Sequence, residues 1–208
     1  MLDFDRIAGT PATHSPFSYF TTEGVLDRTA LAAVAGDFPF LVGSGLYPLS
    51  ELSYGPAFAR LVEDIRQPRL RELMEEKFDI DLSDKPLMIT VRGYCQRKDG
   101  RIHVDSTDKL VTCLLYLNGL NWVEEGGCLR LLRGPHSLDD AIVELPPDGG
   151  RLIAFRRSDN SWHGHEPYEG ERRAIMFNWM ASGAALKKNL LRHKLSSFAK
   201  SFGLATGY

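Results

Sequence analysis

Hydrophobic positions in the first third of the chain recur at helical spacing, and those further on alternate or fall in short blocks. Phe58, Leu61, Val62 and Ile65 share one side of a helix over 57–66. Pro68 suits the first turn of another helix over 68–78, whose apolar face carries Leu70, Leu73 and Phe78. An earlier helix is expected over 27–35, with Asp27 as N-cap, a Leu26–Leu31 staple and Gly36 as its end. Residues 1–16, with Gly9, Pro11 and Pro16, read as an irregular leader, 17–20 as a first strand, and 38–46 as a short strand or turn. From residue 87 the period shortens. Eight strand candidates follow, punctuated by Gly, Pro and Asp: 87–96, 101–105, 109–118, 128–132, 141–145, 151–155, 161–167 and 172–180. The tail, 184–202, returns to helical spacing, with Leu186, Leu190, Leu191, Leu195 and Phe198 on an apolar face. Lys187, Lys188, Arg192, Lys194 and Lys200 make its polar face.

Helices followed by strands predict a mainly β fold with N-terminal helices: a double-stranded β-helix, or jelly roll, with the helices packed on one sheet. Two strands carry the pattern best. Val111, Cys113, Leu115 and Leu117 alternate with Thr112, Leu114 and Tyr116; Ile175, Phe177 and Trp179 alternate with Arg172, Ala174, Met176 and Asn178. One face is strongly apolar and the other mixed, as for strands that meet helices outside and line a site inside. The expected organisation is one domain over 1–208: helical support at 1–83, a jelly-roll core at 84–181 and a C-terminal helix at 182–208.

Composition narrows this little. With 43% hydrophobic and 25% charged residues the chain has a normal core, and a net charge of −2 makes no general case for nucleic acid. Three cysteines without a CxxC spacing suit free thiols and a cytoplasmic location. Neither a signal peptide nor a membrane span is expected. The basic tail helix is read as docked on the domain edge. Oligomeric state is open.

The chemistry gathers at Arg101-Ile102-His103-Val104-Asp105. On a strand, residues two apart point the same way, so His103 and Asp105 converge as two parts of a three-ligand metal site. His163 and His165, in Ser161-Trp162-His163-Gly164-His165, are the candidates for the third ligand, while His14, His136 and His193 suit surface positions. Two histidines and a carboxylate on one face of a metal leave positions open, as in non-haem Fe(II) oxygenases. An oxo-acid co-substrate bound there needs a buried bidentate cation for its far carboxylate. Arg172, after Gly170-Glu171, supplies it, with Tyr116 able to add a phenol hydrogen bond.

These residues resemble the HxD…H…R pattern of the 2-oxoglutarate/Fe(II)-dependent dioxygenases. The stretches Val111-Thr112-Cys113-Leu114-Leu115-Tyr116-Leu117-Asn118 and Gly126-Gly127-Cys128-Leu129-Arg130-Leu131 resemble their prolyl-hydroxylase branch, including the oxygen-sensing enzymes and bacterial relatives. The resemblance covers roughly 87–180. It implies His103, Asp105 and His163 as iron ligands, and Arg172 with Tyr116 on the 2-oxoglutarate C5 carboxylate. It also implies Tyr94 near the co-substrate, and Thr112, Leu114 and Leu129 lining its pocket. Cofactors implied are Fe(II), 2-oxoglutarate and O2, with ascorbate as an optional reductant. The implied reaction is hydroxylation of a C–H bond, with a prolyl residue of a peptide or protein as first substrate and a small metabolite, amino acid or sugar as the alternative.

Asn178 stands where the oxygen sensors carry a tryptophan, which makes the pocket more polar, and His165 has no assignable counterpart. Asn178, His165, Arg156 and Lys109 are candidate substrate contacts; Lys109, Arg156, Arg157 and Arg101 are expected near the mouth, as recruiters of an acidic partner or as solvated rim charges. Several alternatives stand beside this. His165 could be the ligand, Arg173 the clamp, and Tyr94 a core residue. Cys113 and Cys128 could be zinc thiolates, although Cys113 falls on the apolar face. The whole could be a non-catalytic jelly-roll binding module or a zinc hydrolase. Asp105 argues against a halogenase, where a small residue replaces the carboxylate.

Overall fold

The computed structural model describes residues 1–201. Two antiparallel sheets form its centre. The strands are β1 (Tyr19–Thr22), β2 (Tyr47–Pro48), β3 (Leu87–Cys95), β4 (Lys109–Tyr116) and β5 (Leu129–Leu132), then β6 (Ala141–Leu145), β7 (Leu152–Arg156), β8 (His163–His165) and β9 (Gly170–Met180). The larger sheet has the strand order β1-β7-β4-β9-β3-β2, the smaller β6-β5-β8. The helices are α1 (Phe4–Gly9), α2 (Arg28–Gly36), α3 (Pro56–Arg66), α4 (Pro68–Phe78) and α5 (Gly183–Ser201). The jelly roll predicted from the strand pattern is the observed architecture.

Alternation along the strands separates two cores. Val111, Cys113 and Leu115 of β4, with Phe177 and Trp179 of β9, face the helices and pack with Phe58, Leu61, Leu73 and Met74. The opposite faces carry Leu114, Tyr116, Ile153, Phe155 and Ala174, which meet Leu129, Leu131 and Leu145 of the small sheet. The helix-side core therefore holds the large sheet in shape, and the space between the sheets is left for chemistry.

Helix ends follow their local residues. The Asp27 side chain accepts from the Ala30 N–H at 2.7 Å and caps α2. α3 has Gly55 at its N-cap, so its cap comes from elsewhere: Asp37 accepts from the Ala57 N–H at 2.6 Å. Gly55 is needed because a Cβ there would come within 2.3 Å of the Asp37 carboxyl carbon. Pro68 opens α4 as its spacing predicts.

Several local expectations are corrected. The leader contains α1, capped by Asp3, which accepts from the Arg6 N–H. The first strand begins at Tyr19, and Phe17 instead joins the inter-sheet core. Of the strand or turn read over 38–46, the strand is not formed; bends over 43–45 lead to β2 and a 3-10 turn over Leu49–Glu51. Residues 101–105 make no strand either, only a one-residue bridge at His103. In the tail, α5 turns a different face inward from the one its leucines suggest. Ala185, Leu186 and Leu190 pack on Met88 and Met180, while Leu191 and Leu195 are 59% and 62% exposed. Residue 202, the expected end of that helix, and the Phe198 and Lys200 side chains lie outside what is described.

Candidate metal centre

The single bridge is what assembles the site. His103 N–H donates to His163 O and His163 N–H to His103 O, both at 3.0 Å. This brings the two rings to 4.3 Å between centroids. Asp105, two residues on, is buried beside them. One ligand atom from each of His103, Asp105 and His163 lies within 4.8 Å of the other two, the one such group among the described residues. Phe155, 4.8 Å from the His163 ring, backs that imidazole with an apolar wall.

The backbone orients both rings. His103 Nδ1 is 2.8 Å from Arg101 O and His163 Nδ1 is 3.0 Å from Ser161 O. A carbonyl only accepts, so each Nδ1 carries the proton and each Nε2 keeps a lone pair for a cation. Burial lowers the His163 pKa to about 4, against the pull of Asp105 and with help from His103, so the ring is neutral at ordinary pH. Burial acts to raise Asp105, but the Lys109 ammonium, His163 and hydrogen bonds from Lys109 and Thr112 outweigh it and bring it to about 2. Two neutral imidazoles and one ionised carboxylate form a donor set that fits Fe(II).

Lys109 Nζ donates to Asp105 Oδ1 at 2.7 Å, and Thr112 Oγ1 to Oδ2 at 2.5 Å. Thr112 Oγ1 also lies 2.9 Å from Asn178 Oδ1. A hydroxyl has one proton to give, so this pairing is satisfied when the Asn178 amide is turned to present its N–H. Arg157 Nε holds the backbone of the same loop, donating to Asp105 O at 3.1 Å.

Arg172 occupies the inner end. It is 4% exposed, donates from Nε to Gly127 O at 2.8 Å and from Nη2 to the Tyr116 hydroxyl at 2.7 Å, and stacks 4.9 Å from the centre of the Tyr116 ring. These contacts fix the guanidinium, which lines a cavity of about 430 Å³ together with the metal-site residues. Thr112, Leu114, Leu129, His165, Asn178 and Lys109 line the same cavity. A cation at the end of an apolar-walled space suits an anionic group. Arg173 points the other way, over the Phe38 ring.

Two site expectations fail. Tyr94 is 39% exposed and lies outside the cavity wall. The register of β3 shifts between Arg92 and Tyr94, which breaks the inward row of Met88, Thr90 and Arg92. Arg156 belongs to the helix-facing row of Leu152 and Ala154 and donates to Phe78 O and Asp79 O at the end of α4. Lys109 is not a loose rim charge but the partner of Asp105. Cys113 is fully buried in the helix-side core, as its parity predicts, and all three cysteines are free.

His165 sits against Gly100, where a Cβ would come 2.4 Å from its ring, and its Nδ1 is 2.8 Å from Glu166 O. Burial, aided by Arg172, lowers its pKa to about 4. Sequence reasoning missed Arg92, which lines the cavity and pairs with Asp99 at 3.1 Å. It also missed Arg192 and His193, which α5 brings to the wall with Leu46. The inward parity of Arg92 was a usable signal; the position of α5 had none.

Residues 89–181 match the model of the 2OG-Fe(II) oxygenase superfamily. Among solved structures, the chain is similar to a prolyl-4-hydroxylase from Pseudomonas putida, with 17% identity, a TM-score of 0.58, and 86% of this chain and 97% of that one covered. A prolyl 4-hydroxylase from Phytophthora capsici gives 19%, 0.58, 98% and 74%. The viral collagen prolyl hydroxylase of Paramecium Bursaria Chlorella virus-1, in complex with 2OG, gives 17%, 0.52, 77% and 93%. At these identities the likeness establishes the fold. No curated protein matches the chain.

Proposed function

We propose that the whole chain, whose residues 89–181 match the model of the 2OG-Fe(II) oxygenase superfamily, acts as one domain that hydroxylates a C–H bond of an organic substrate. The observation that carries this is the grouping of His103, Asp105 and His163 in one cavity with the buried, doubly anchored Arg172. A zinc hydrolase would need the three ligands but has no use for Arg172 at the inner end.

Each residue has a role in this reading. His103 and His163 present Nε2, because their Nδ1 protons are held by carbonyls. Asp105 adds the negative charge, and Thr112 and Asn178 hold its orientation. Arg172 takes the far carboxylate of 2-oxoglutarate, and Tyr116 keeps the guanidinium in place. Leu114, Leu129 and Phe155 keep bulk water from the reacting region. Fe(II) and 2-oxoglutarate, when bound, supply the O2-activating chemistry.

The likeness to prolyl hydroxylases makes a prolyl residue of a peptide the first substrate to try. A small metabolite is favoured by a different observation: Arg192 and His193 of α5 and Leu46 help wall the cavity, whose volume of about 430 Å³ is in the range of small-molecule sites. No described helix is long and apolar enough to cross a membrane.

The test is anaerobic reconstitution with Fe(II) and 2-oxoglutarate. A metal-to-ligand charge-transfer band is expected, and succinate on admission of O2. A band that is absent, or that is insensitive to His163→Ala and Arg172→Ala alike, removes the assignment.

A further inference from the structure

The charge lining the cavity is lopsided. Four permanent cations, Arg92, Lys109, Arg172 and Arg192, face one carboxylate, Asp105. Two of the four have occupants. Arg92 pairs with Asp99, and Arg172 is taken by the co-substrate carboxylate in the reading above. Lys109 is paired with Asp105 at 2.7 Å, but a divalent cation on Asp105 removes the excess negative charge that holds it there. Lys109 then lacks its anion, and Arg192 only shares the single Asp108 carboxylate with Lys188.

The fold ties together the segments that carry these two cations. Lys109 opens β4, and its neighbour Asp108 accepts from Lys188 Nζ at 2.9 Å and from Asn189 Nδ2 at 3.0 Å, both on α5. Asn189 is buried and in turn accepts from Arg192 Nη2 at 3.1 Å through Oδ1. This tie fixes the turn of α5 that carries Arg192 and His193 against the cavity. Asp108 is the acid of this cluster, and it faces Lys188 and Arg192 together. The cluster keeps a positive excess on the side of the cavity away from Arg172.

We infer that the substrate is a small organic acid whose carboxylate is bound between Lys109 and Arg192, which presents its C–H bond to the metal position. The inference rests on the reaction class proposed above and adds the substrate class. Two cations converging on a carboxylate also confer selectivity, because a neutral analogue leaves them unmatched.

The test uses the protein loaded with Zn(II) and 2-oxoglutarate, which is redox-inert, and titrates it calorimetrically with benzoate, benzamide and benzamidine. These probes share a ring and carry one negative charge, none and one positive charge. Benzoate is expected to bind about tenfold or more tighter than benzamide. Arg192→Gln should erase most of that preference, Arg192→Lys should retain it, and Arg192→Glu should turn it toward benzamidine. Lys109→Gln, with metal content measured separately, should weaken benzoate similarly. The 2-oxoglutarate affinity of the Arg192 variants should stay within about twofold of the parent, since Arg172 is unaltered. Equal binding of benzoate and benzamide, or a benzoate preference that survives Arg192→Glu, overturns the inference and leaves the oxygenase reading intact. Failure of the parent protein to bind 2-oxoglutarate overturns that reading instead.

Discussion

Replacing Arg172 by glutamine separates the co-substrate anchor from its neighbour on the same strand. Arg172 faces the cavity with its guanidinium held by Gly127 O and the Tyr116 hydroxyl; Arg173, one residue on, faces outward to Glu171 and the Phe38 ring. A guanidinium forks two hydrogen bonds onto a carboxylate, and each charge-assisted bond contributes about 1.5–3 kcal/mol. Glutamine keeps one amide donor and no charge. A net loss of about 3 kcal/mol, or roughly 150-fold in the 2-oxoglutarate Kd, is expected. Arg172→Lys keeps the charge but cannot reach both anchors with a planar fork, so roughly tenfold weakening is expected. Arg173→Gln should leave the Kd within about twofold. The assay is anaerobic titration of the Fe(II) protein with 2-oxoglutarate, read at the charge-transfer band, with circular dichroism to establish that each variant is folded. A Kd for Arg172→Gln within about threefold of the parent, or an equal loss in Arg173→Gln, would refute the reasoning.

Thr112→Val removes a buried donor to the Asp105 carboxylate and should weaken metal binding by about tenfold or more, measured by competition with a chelating dye. His165 has a folded-state pKa near 4, below the ordinary 6.5 of an unfolded histidine, so protons favour the unfolded chain. Its contribution is fully present above pH 6.5 and is lost as pH falls toward 4, by about 3 kcal/mol; His163 is lowered equally, so His165→Gln should remove about half of the fall in urea-unfolding stability of the metal-free protein across that window. Asp37→Ala deletes the remote cap of α3 and should cost about 1 kcal/mol in the same assay, with no change in 2-oxoglutarate affinity.

Strand parity was legible wherever the ladder runs without interruption. The alternation of Thr112, Leu114 and Tyr116 with Val111, Cys113 and Leu115 placed each side chain on the face where it is found, and the same holds for Arg172 against Arg173. It would also have removed Arg156, which shares the parity of Leu152 and Ala154. Tyr94 failed for the opposite reason: a register shift after Arg92 interrupts the period, and a one-residue slip sends a side chain to the other face. Gly93, a glycine inside a strand pattern, was the local warning of such an irregularity.

What the chain determined by itself was therefore local: residue types, their period and the short spacings that set His103 beside Asp105 and Arg172 on an inward row. Tertiary structure decided what depends on distant partners. His103 finds His163 across sixty positions through a single bridge, made from a segment that is itself no strand. Asp37 caps a helix that begins beyond an intervening loop. The leucines of α5 define more apolar surface than one contact can cover, so its inward face was settled by the seat that Met88 and Met180 offer and by the Asp108 tie to Lys188 and Asn189. That choice brought Arg192 to the cavity. Periodicity records which faces of an element are apolar; only packing against a particular neighbour selects one of them.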